Sequence, residues 1–220
     1  MSTPDPALTT PTWDRAKAAL AAGDANEAQR LLDRAVEQWR SLQDYSINWI
    51  TALLSFIGRE QGEAAVERAL REFGDEFVSR RRDPAWDTLP AATRARAIAR
   101  AMLANFGTCD VSEDDEKITL SFQCGTGGRL IDEGRYDDQG GPHLTLREAG
   151  PRTFMRDGLP VYCAHCSINN EIQPVEDGRA PVTVEIPPTA PGEPCVHHIY
   201  KDTAAIPTDV YERIGLRSRP

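Results

Sequence analysis

The sequence has little lysine, few aromatic residues and no long apolar run. Only 3 of its 220 residues are lysines, against 22 arginines, a bias that a GC-rich genome explains without any role in anion recognition. No stretch approaches the roughly 20 apolar residues that span a bilayer. The first residues, Met1 to Pro6, lack the basic and apolar regions of a signal peptide. We therefore expect a cytoplasmic protein without a membrane partner.

Positive charge is scarce in the second half of the chain. Positions 106–220 carry 11 basic and 19 acidic residues, whereas positions 1–105 carry 14 and 15. An acidic surface repels nucleic-acid phosphates, and the one basic cluster is Arg80-Arg81-Arg82. The charge predicts no nucleic-acid partner and would suit a basic protein partner. It does not indicate an oligomeric state.

The patterning predicts an α+β fold in which an N-terminal helical layer is followed by a small antiparallel sheet carrying a cysteine-rich metal site. Residues 1–11 are rich in Pro and Thr and predict a disordered leader. A helical region follows over 12–105, then an α+β metal-binding region over 106–203 and a surface tail over 204–220.

Helix and strand signals support this division. Gly23-Asp24 predicts a helix stop followed by an N-cap, and the next apolar stripe predicts a long helix to Gly58, with a possible break at 41–46. Further helices are expected between Gly62 and Gly74 and over 91–105. Strict alternation predicts a strand over 117–123, and shorter strands are expected over 143–147, 182–186 and 196–200.

Five cysteines in a reducing compartment indicate metal or thiol chemistry rather than disulfides. Cys163 and Cys166 have the Cys-x-x-Cys spacing with which one turn binds Zn²⁺, and Cys195 is the obvious third ligand. We favour Cys124, at the end of the first strand, as the fourth ligand. The alternatives are His165, His197 and His198. A closed structural site, an open site with a bound water, an iron-sulfur cluster and a redox-active pair all fit these residues, and Cys109 is expected to be a core thiol.

Other residues are candidates for binding or catalysis. The Gly-rich segment after Cys124 predicts either a hairpin turn or a cofactor-binding loop formed by Gly127, Gly128 and Arg129. His165 or His197 could shuttle protons. Asp44 shares a helix face with Asn48, which is typical of a solvated face but could also supply polar groups to a pocket.

Three short segments carry a resemblance to known families. The order of a helical first half, Cys124-Gly125, Tyr162-Cys163 and Gly192-Glu193-Pro194-Cys195 resembles the L-2-amino-thiazoline-4-carboxylic acid hydrolase-like and vinyl-reductase-type small-molecule-binding proteins over roughly residues 45–200. In those families a Gly-x-x-Cys element recurs on a late strand and cysteine-bound metal is known. The resemblance implies a similar layout for this chain.

The main hypothesis is a zinc protein that binds a small organic molecule and catalyses metal-assisted hydrolysis or C–N or C–S bond cleavage. The first alternative is a non-catalytic ligand-sensing or protein-interaction module with a structural zinc. The second is a thiol or iron-sulfur redox protein.

Overall fold

The computed structural model describes residues 5–217, apart from the side chain of Arg81. Helices come first along the chain and an antiparallel sheet of four strands follows, which confirms the predicted α+β class. Two compact units are present, Met1–Asn48 and Trp49–Pro220. None of the helices in the described residues combines the length and the apolar character needed to cross a membrane.

The first unit contains helix α1 (Pro6–Thr9), helix α2 (Thr12–Ala21) and the beginning of helix α3 (Ala25–Gln61). Gly23 has a positive φ of 80° after α2, and Asp24 Oδ1 accepts a hydrogen bond from Glu27 N at 3.0 Å. The predicted stop and N-cap are thus confirmed. Helix α3 is continuous through 41–46. Of the predicted disordered leader, residues 1–4 lie outside the described residues and Pro6–Thr9 form a helical turn.

Two further helices lie in the second unit, close to their predicted positions. They are helix α4 (Glu63–Phe73), preceded by Gly62, and helix α5 (Ala91–Ala104). Between them lie a π-helical turn (Gly74–Val78) and two 3-10 turns (Ser79–Arg81 and Trp86–Thr88). These two helices belong to the same compact unit as the sheet, so the compact units divide within α3 rather than near residue 105.

The described residues contain six strands in two sheets. They are β1 (Thr108–Glu113), β2 (Lys117–Gln123), β3 (Thr145–Leu146), β4 (Leu159–Pro160), β5 (Val184–Ile186) and β6 (Cys195–Tyr200). The main sheet has the order β1-β2-β6-β5, and β3 pairs with β4 separately. Ile118, Leu120 and Phe122 alternate inward along β2 and pack with Ile199 beneath α5. This core fixes the face of the sheet on which the candidate site lies.

Short helical elements lie between the strands and after β6. They are α6 (Gly127–Asp132), 3-10 turns at Asp137–Gln139, Pro151–Thr153, Val161–Cys163 and Thr203–Ala205, α7 (Ala164–Cys166), a π-helical segment (Ser167–Ile172), α8 (Gln173–Glu176) and α9 (Thr208–Glu212).

The segment predicted as a surface tail is packed where it is described. Helix α9 buries Val210 and Tyr211 in a cluster with Tyr200 and Val184, and Ile214 is also buried. Apolar residues four positions apart, such as Val210 and Ile214, give this segment one apolar face. Residues 218–220 lie outside the described part.

Candidate functional site

One small cavity in the second unit is lined by four of the five cysteines. Its volume is about 90 Å³, and it is bordered by Cys124, Cys163, Cys166 and Cys195. Three separate stretches of chain supply these side chains: the end of β2, the turn at 161–166 and the start of β6. We call this space the thiol cavity. Its other lining residues are Met102, Thr126, Gly127, Gly128, Tyr162, His165, Asn170, Glu185, Pro187, Pro188 and His197.

Strand β6 directs Cys195 and His197 to the same side. Cys195 pairs with Phe122 and His197 with Leu120, and cross-strand partners share a face of the sheet. His197 Nε2 lies 3.5 Å from Cys195 Sγ. His198 faces the other side, where its Nδ1 lies 3.0 Å from the hydroxyl oxygen of Thr119. Of these two histidines, His197 therefore lines the thiol cavity.

The Cys163-x-x-Cys166 segment is helical. A 3-10 turn ends at Cys163, and helix α7 continues through Cys166 into the π-helical segment. His165 Nδ1 lies 2.6 Å from the carbonyl oxygen of Tyr162, and because a carbonyl only accepts, this nitrogen carries the proton. The other ring nitrogen, Nε2, lies 3.5 Å from Cys166 Sγ.

Gly127 and Gly128 allow helix α6 to approach the cysteines. A Cβ on Gly127 would lie 2.9 Å from Cys163 Sγ, and one on Gly128 would lie 2.8 Å from Cys124 Cβ. Both glycines line the thiol cavity. Arg129 is on the same helix, but its Nε donates to the carbonyl oxygen of Gly125 and its Nη1 to Glu133. Gly127 and Gly128 thus form part of the wall of the thiol cavity, whereas Arg129 makes its hydrogen bonds within its own segment of the chain.

Glu185 lines the thiol cavity and was not predicted from the sequence. Its side chain is fully buried, and its Oε1 accepts a hydrogen bond from Asn170 Nδ2 at 2.6 Å. The same oxygen lies 3.5 Å from His197 Nδ1. The alternation of β5 places Glu185 opposite His197. The one signal in the sequence is an acidic residue within a short apolar strand, a pattern that usually marks a solvent-facing position.

The electrostatics of the thiol cavity favour neutral thiols. Burial is the main cause that raises the pKa of Cys163, Cys166 and Cys195. The next largest cause is the charge of Cys124 for Cys163, and that of Glu185 for Cys166 and Cys195. Each effect disfavours a thiolate, because a buried negative charge loses its hydration and is repelled by its neighbours. A thiolate here would need a nearby cation.

Four of the predicted residues are not among those that line the thiol cavity: Asp44, Cys109, Arg129 and His198. Asp44 belongs to the unit Met1–Asn48, whereas the other predicted catalytic, cofactor and metal residues belong to Trp49–Pro220. The backbone carbonyl of Asp44 accepts a hydrogen bond from Asn48 Nδ2 at 2.9 Å. Cys109 lies on β1 and packs against the core cluster of β2, as predicted for a core thiol.

The donor atoms around the thiol cavity are near one another but do not converge. Within residues 5–217, no three His, Cys, Asp or Glu side chains are gathered closely enough to hold one metal ion. A zinc ion requires donors at about 2.0–2.3 Å. The predicted metal site and the family resemblance therefore stay predictions. Comparisons of the chain with protein-family models, with curated proteins and with solved structures gave no match.

Proposed function

We propose that the thiol cavity binds Zn²⁺ and that the protein acts there on a small organic molecule, by metal-assisted hydrolysis or by cleavage of a C–N or C–S bond. The observation that carries this proposal is the meeting of four cysteines from three stretches of chain around one cavity. Such a set is unusual for a packed core, in which a cysteine is ordinarily an isolated small apolar residue. Cys109 is such a residue.

The raised pKa values of Cys163, Cys166 and Cys195 describe the cavity without a cation. A bound Zn²⁺ stabilises thiolates and reverses the effect of burial, because coordination releases the thiol protons. Cys124, Cys163, Cys166 and Cys195 are the residues that would hold the ion. Since their sulfur atoms do not converge in the described structure, binding would require rotation of their side chains by one rotamer or a small shift of the turn at 161–166.

The volume of the cavity favours an open site. About 90 Å³ corresponds to roughly three water molecules at about 30 Å³ each. A metal ion would fill only part of this space, so a water molecule or a group of the substrate could be its neighbour. When bound, zinc polarises a carbonyl group and lowers the pKa of a coordinated water.

The histidines of the cavity are placed to move protons. His165 presents Nε2 to Cys166 while its Nδ1 is held by the carbonyl of Tyr162. His197 presents Nε2 to Cys195 while its Nδ1 faces Glu185. The His165 ring thus has one nitrogen held by a carbonyl and one beside a thiol, an arrangement that suits a general acid or base. His197 also has one nitrogen beside a thiol, but its buried Nδ1 has no hydrogen-bond partner among the described residues.

The test is the metal content of the purified protein and of two matched variants. We expect one zinc per chain in the wild type and in Cys109→Ser, because Cys109 lies outside the thiol cavity. Cys124→Ser should weaken zinc binding by at least about tenfold, the smaller effect usually seen when a metal site is disturbed. A brown purified protein that contains iron would indicate an iron-sulfur cluster in the cavity instead of zinc. Wild-type protein that binds no zinc at micromolar concentration would refute the proposal.

A second candidate function follows from the order Cys195, His197, Glu185. Sγ of Cys195 and Nε2 of His197 are 3.5 Å apart, and Nδ1 of His197 and Oε1 of Glu185 are also 3.5 Å apart. This order of nucleophile, base and orienting acid resembles that of thiol hydrolases, in which such distances shorten when substrate binds. The raised pKa of Cys195 places this candidate second. Alkylation of Cys195 by iodoacetamide in chelator-treated protein, slowed in His197→Gln, would favour it over zinc.

A further inference from the structure

A second, larger cavity lies in the same unit and opens to solvent. Its volume is about 570 Å³, within the range of roughly 300–1,000 Å³ that is typical of sites for small organic ligands. We call it the aryl cleft, because Phe77 and Trp86 form part of its wall. The remaining lining residues are Val78, Arg82, Asp83, Leu89, Thr93, Ala97, Asn170 and Val182.

Arg82 supplies a positive charge to the aryl cleft. Its Nη2 donates to the backbone carbonyl of Asn169 at 2.9 Å, and it makes no ion pair with a carboxylate in the part of the chain that the structure describes. Burial lowers its pKa, as does the nearby charge of Arg179 to a smaller extent. Arg179 itself is paired with Asp87 at 3.1 Å. The nearby charges of Asp177 and Asp87 act in the opposite direction. Arg82 is therefore a partly desolvated cation that makes no direct ion pair among the described residues, and a ligand carboxylate could pair with it directly.

The indole of Trp86 adds a second unmatched donor. Its Nε1 is buried and has no hydrogen-bond acceptor among the described residues. Two polar groups of the cleft already have internal partners. Asp83 Oδ1 accepts from Ala85 N at 2.8 Å, and Asn170 Nδ2 donates to Glu185. Asp83 is also exposed, so water and salt screen its charge more strongly than that of Arg82. Trp86 Nε1 is thus a buried donor without an acceptor among the described residues, which is costly.

We propose that the aryl cleft binds an organic anion with an aromatic or branched apolar body. The anionic head accepts a hydrogen bond from the guanidinium of Arg82 and, after a turn of the ring that exposes its buried Nε1, a second one from the indole N–H of Trp86. The apolar body packs against Phe77 and Leu89, away from water.

Asn170 connects the aryl cleft to the proposed zinc site. This residue lines both the cleft and the thiol cavity. A molecule held in the cleft therefore lies beside the residue that hydrogen-bonds Glu185. The assignment of the cleft as the substrate site rests on the proposed zinc function, whereas binding of the anion does not.

Calorimetric titration with two matched probes tests the proposal. The probes are 4-phenylbutyrate and the neutral 4-phenylbutanamide, which differ in the charge of the head group. We expect the acid to bind with a Kd on the order of 1 mM or tighter, at least about tenfold more tightly than the amide. Arg82→Gln should weaken binding of the acid about tenfold or more, and Trp86→Phe, which keeps a ring but removes the N–H, about threefold to tenfold. Arg80→Gln is the matched control, because Arg80 is exposed and pairs with Glu76, and it should bind as the wild type.

Three results would overturn the proposal: equal affinity for acid and amide, no binding of the acid at millimolar concentration, or unchanged affinity in both cleft variants. If circular dichroism shows that Arg82→Gln is unfolded, Trp86→Phe decides alone. The same titration in Cys124→Ser separates the two proposals. A protein that binds zinc but not the anion would refute the proposal for the aryl cleft. A protein that binds the anion but never binds zinc would refute only the zinc function.

Discussion

Glu185 and His197 face each other across neighbouring strands, with Glu185 Oε1 3.5 Å from His197 Nδ1 and both side chains buried. The carboxylate also accepts a hydrogen bond from Asn170. A buried carboxylate destabilises the fold when its hydrogen-bond partners are removed, and it stabilises the fold only when all of them are present. Glu185 therefore couples the thiol cavity to the stability of the sheet.

Removal of the Glu185 side chain should destabilise the protein. We expect Glu185→Ala to lower the free energy of unfolding by about 2–4 kcal/mol, because it leaves Asn170 Nδ2 without an acceptor and opens a void. Glu185→Gln keeps an oxygen acceptor and should cost about 1 kcal/mol or less. Urea denaturation of both variants provides the measurement, with Glu60→Ala on an exposed helix position as the control. Equal stability of Glu185→Ala and wild type would contradict this account.

The stability of the protein should fall as pH rises through the neutral range, because of Glu171. Burial raises its pKa from 4.5 to about 8, although Arg213 acts in the opposite direction. A carboxyl group whose folded-state pKa lies above its unfolded value stabilises the fold below pH 4.5. This contribution is lost as pH approaches 8, with a slope of at most about 1.4 kcal/mol per pH unit. Urea denaturation between pH 5 and pH 8 should therefore show a smaller pH dependence in Glu171→Gln than in the wild type. Parallel profiles for the two proteins would show that Glu171 does not carry the effect.

The five cysteines should differ in reactivity. Cys163 and Cys195 are buried and the pKa of each is raised, whereas Cys124 is only partly buried. Since the thiolate is the reactive species, exposure and a low pKa both increase the rate of alkylation. In metal-free native protein, iodoacetamide should modify Cys124 well before Cys163 and Cys195, as read by mass spectrometry of the digested protein. Denatured protein, in which all sites react at similar rates, is the control, and early labelling of Cys163 would contradict the burial that the structure gives it.

A methyl group at Gly127 should destabilise the wall of the thiol cavity. The new Cβ would lie 2.9 Å both from Cys163 Sγ and from Tyr162 Cδ1. Relief of this overlap would move packed side chains, which typically costs about 1–3 kcal/mol. This exceeds the gain of roughly 1 kcal/mol from replacing glycine by alanine in a helix. Thermal unfolding should show a lower Tm for Gly127→Ala and little change for Gly150→Ala, since a Cβ on Gly150 meets no atom closer than 4.0 Å.

Local signals in the sequence predicted the helices and the central strands well. Gly23 marks the end of one helix because glycine adopts a positive φ without strain. Asp24 marks the start of the next because its carboxylate caps the first turn. The alternation of β2 predicts its buried face directly. The same period of two predicted that Cys195 and His197 share a face if β6 is extended, and this is confirmed.

Strand β1 and the role of Glu185 were not predicted from the sequence, for two different reasons. Strand β1 is largely exposed, so its apolar residues Cys109 and Val111 give only a weak alternation. Its pairing with β2 depends on a turn in which Asp114 Oδ1 accepts hydrogen bonds from the backbone of Glu116 and Lys117. The role of Glu185 depends on the register of two strands separated by a loop, which no local pattern specifies.

The turn at 161–166 and the π-helical segment after it form one continuous stretch from the cysteines to the buried acids. Cys163 and Cys166 line the thiol cavity, Asn170 borders both cavities, and Glu171 receives the backbone N–H of Glu185. Each residue advances the direction of the side chain by about 100° in an α-helix and by somewhat less in the wider π-helix. Insertion or deletion of one residue between Cys166 and Asn170 would therefore rotate the thiols out of phase with the amide and the acid together. The length of this stretch should be constrained even at positions where the identity of the side chain is not.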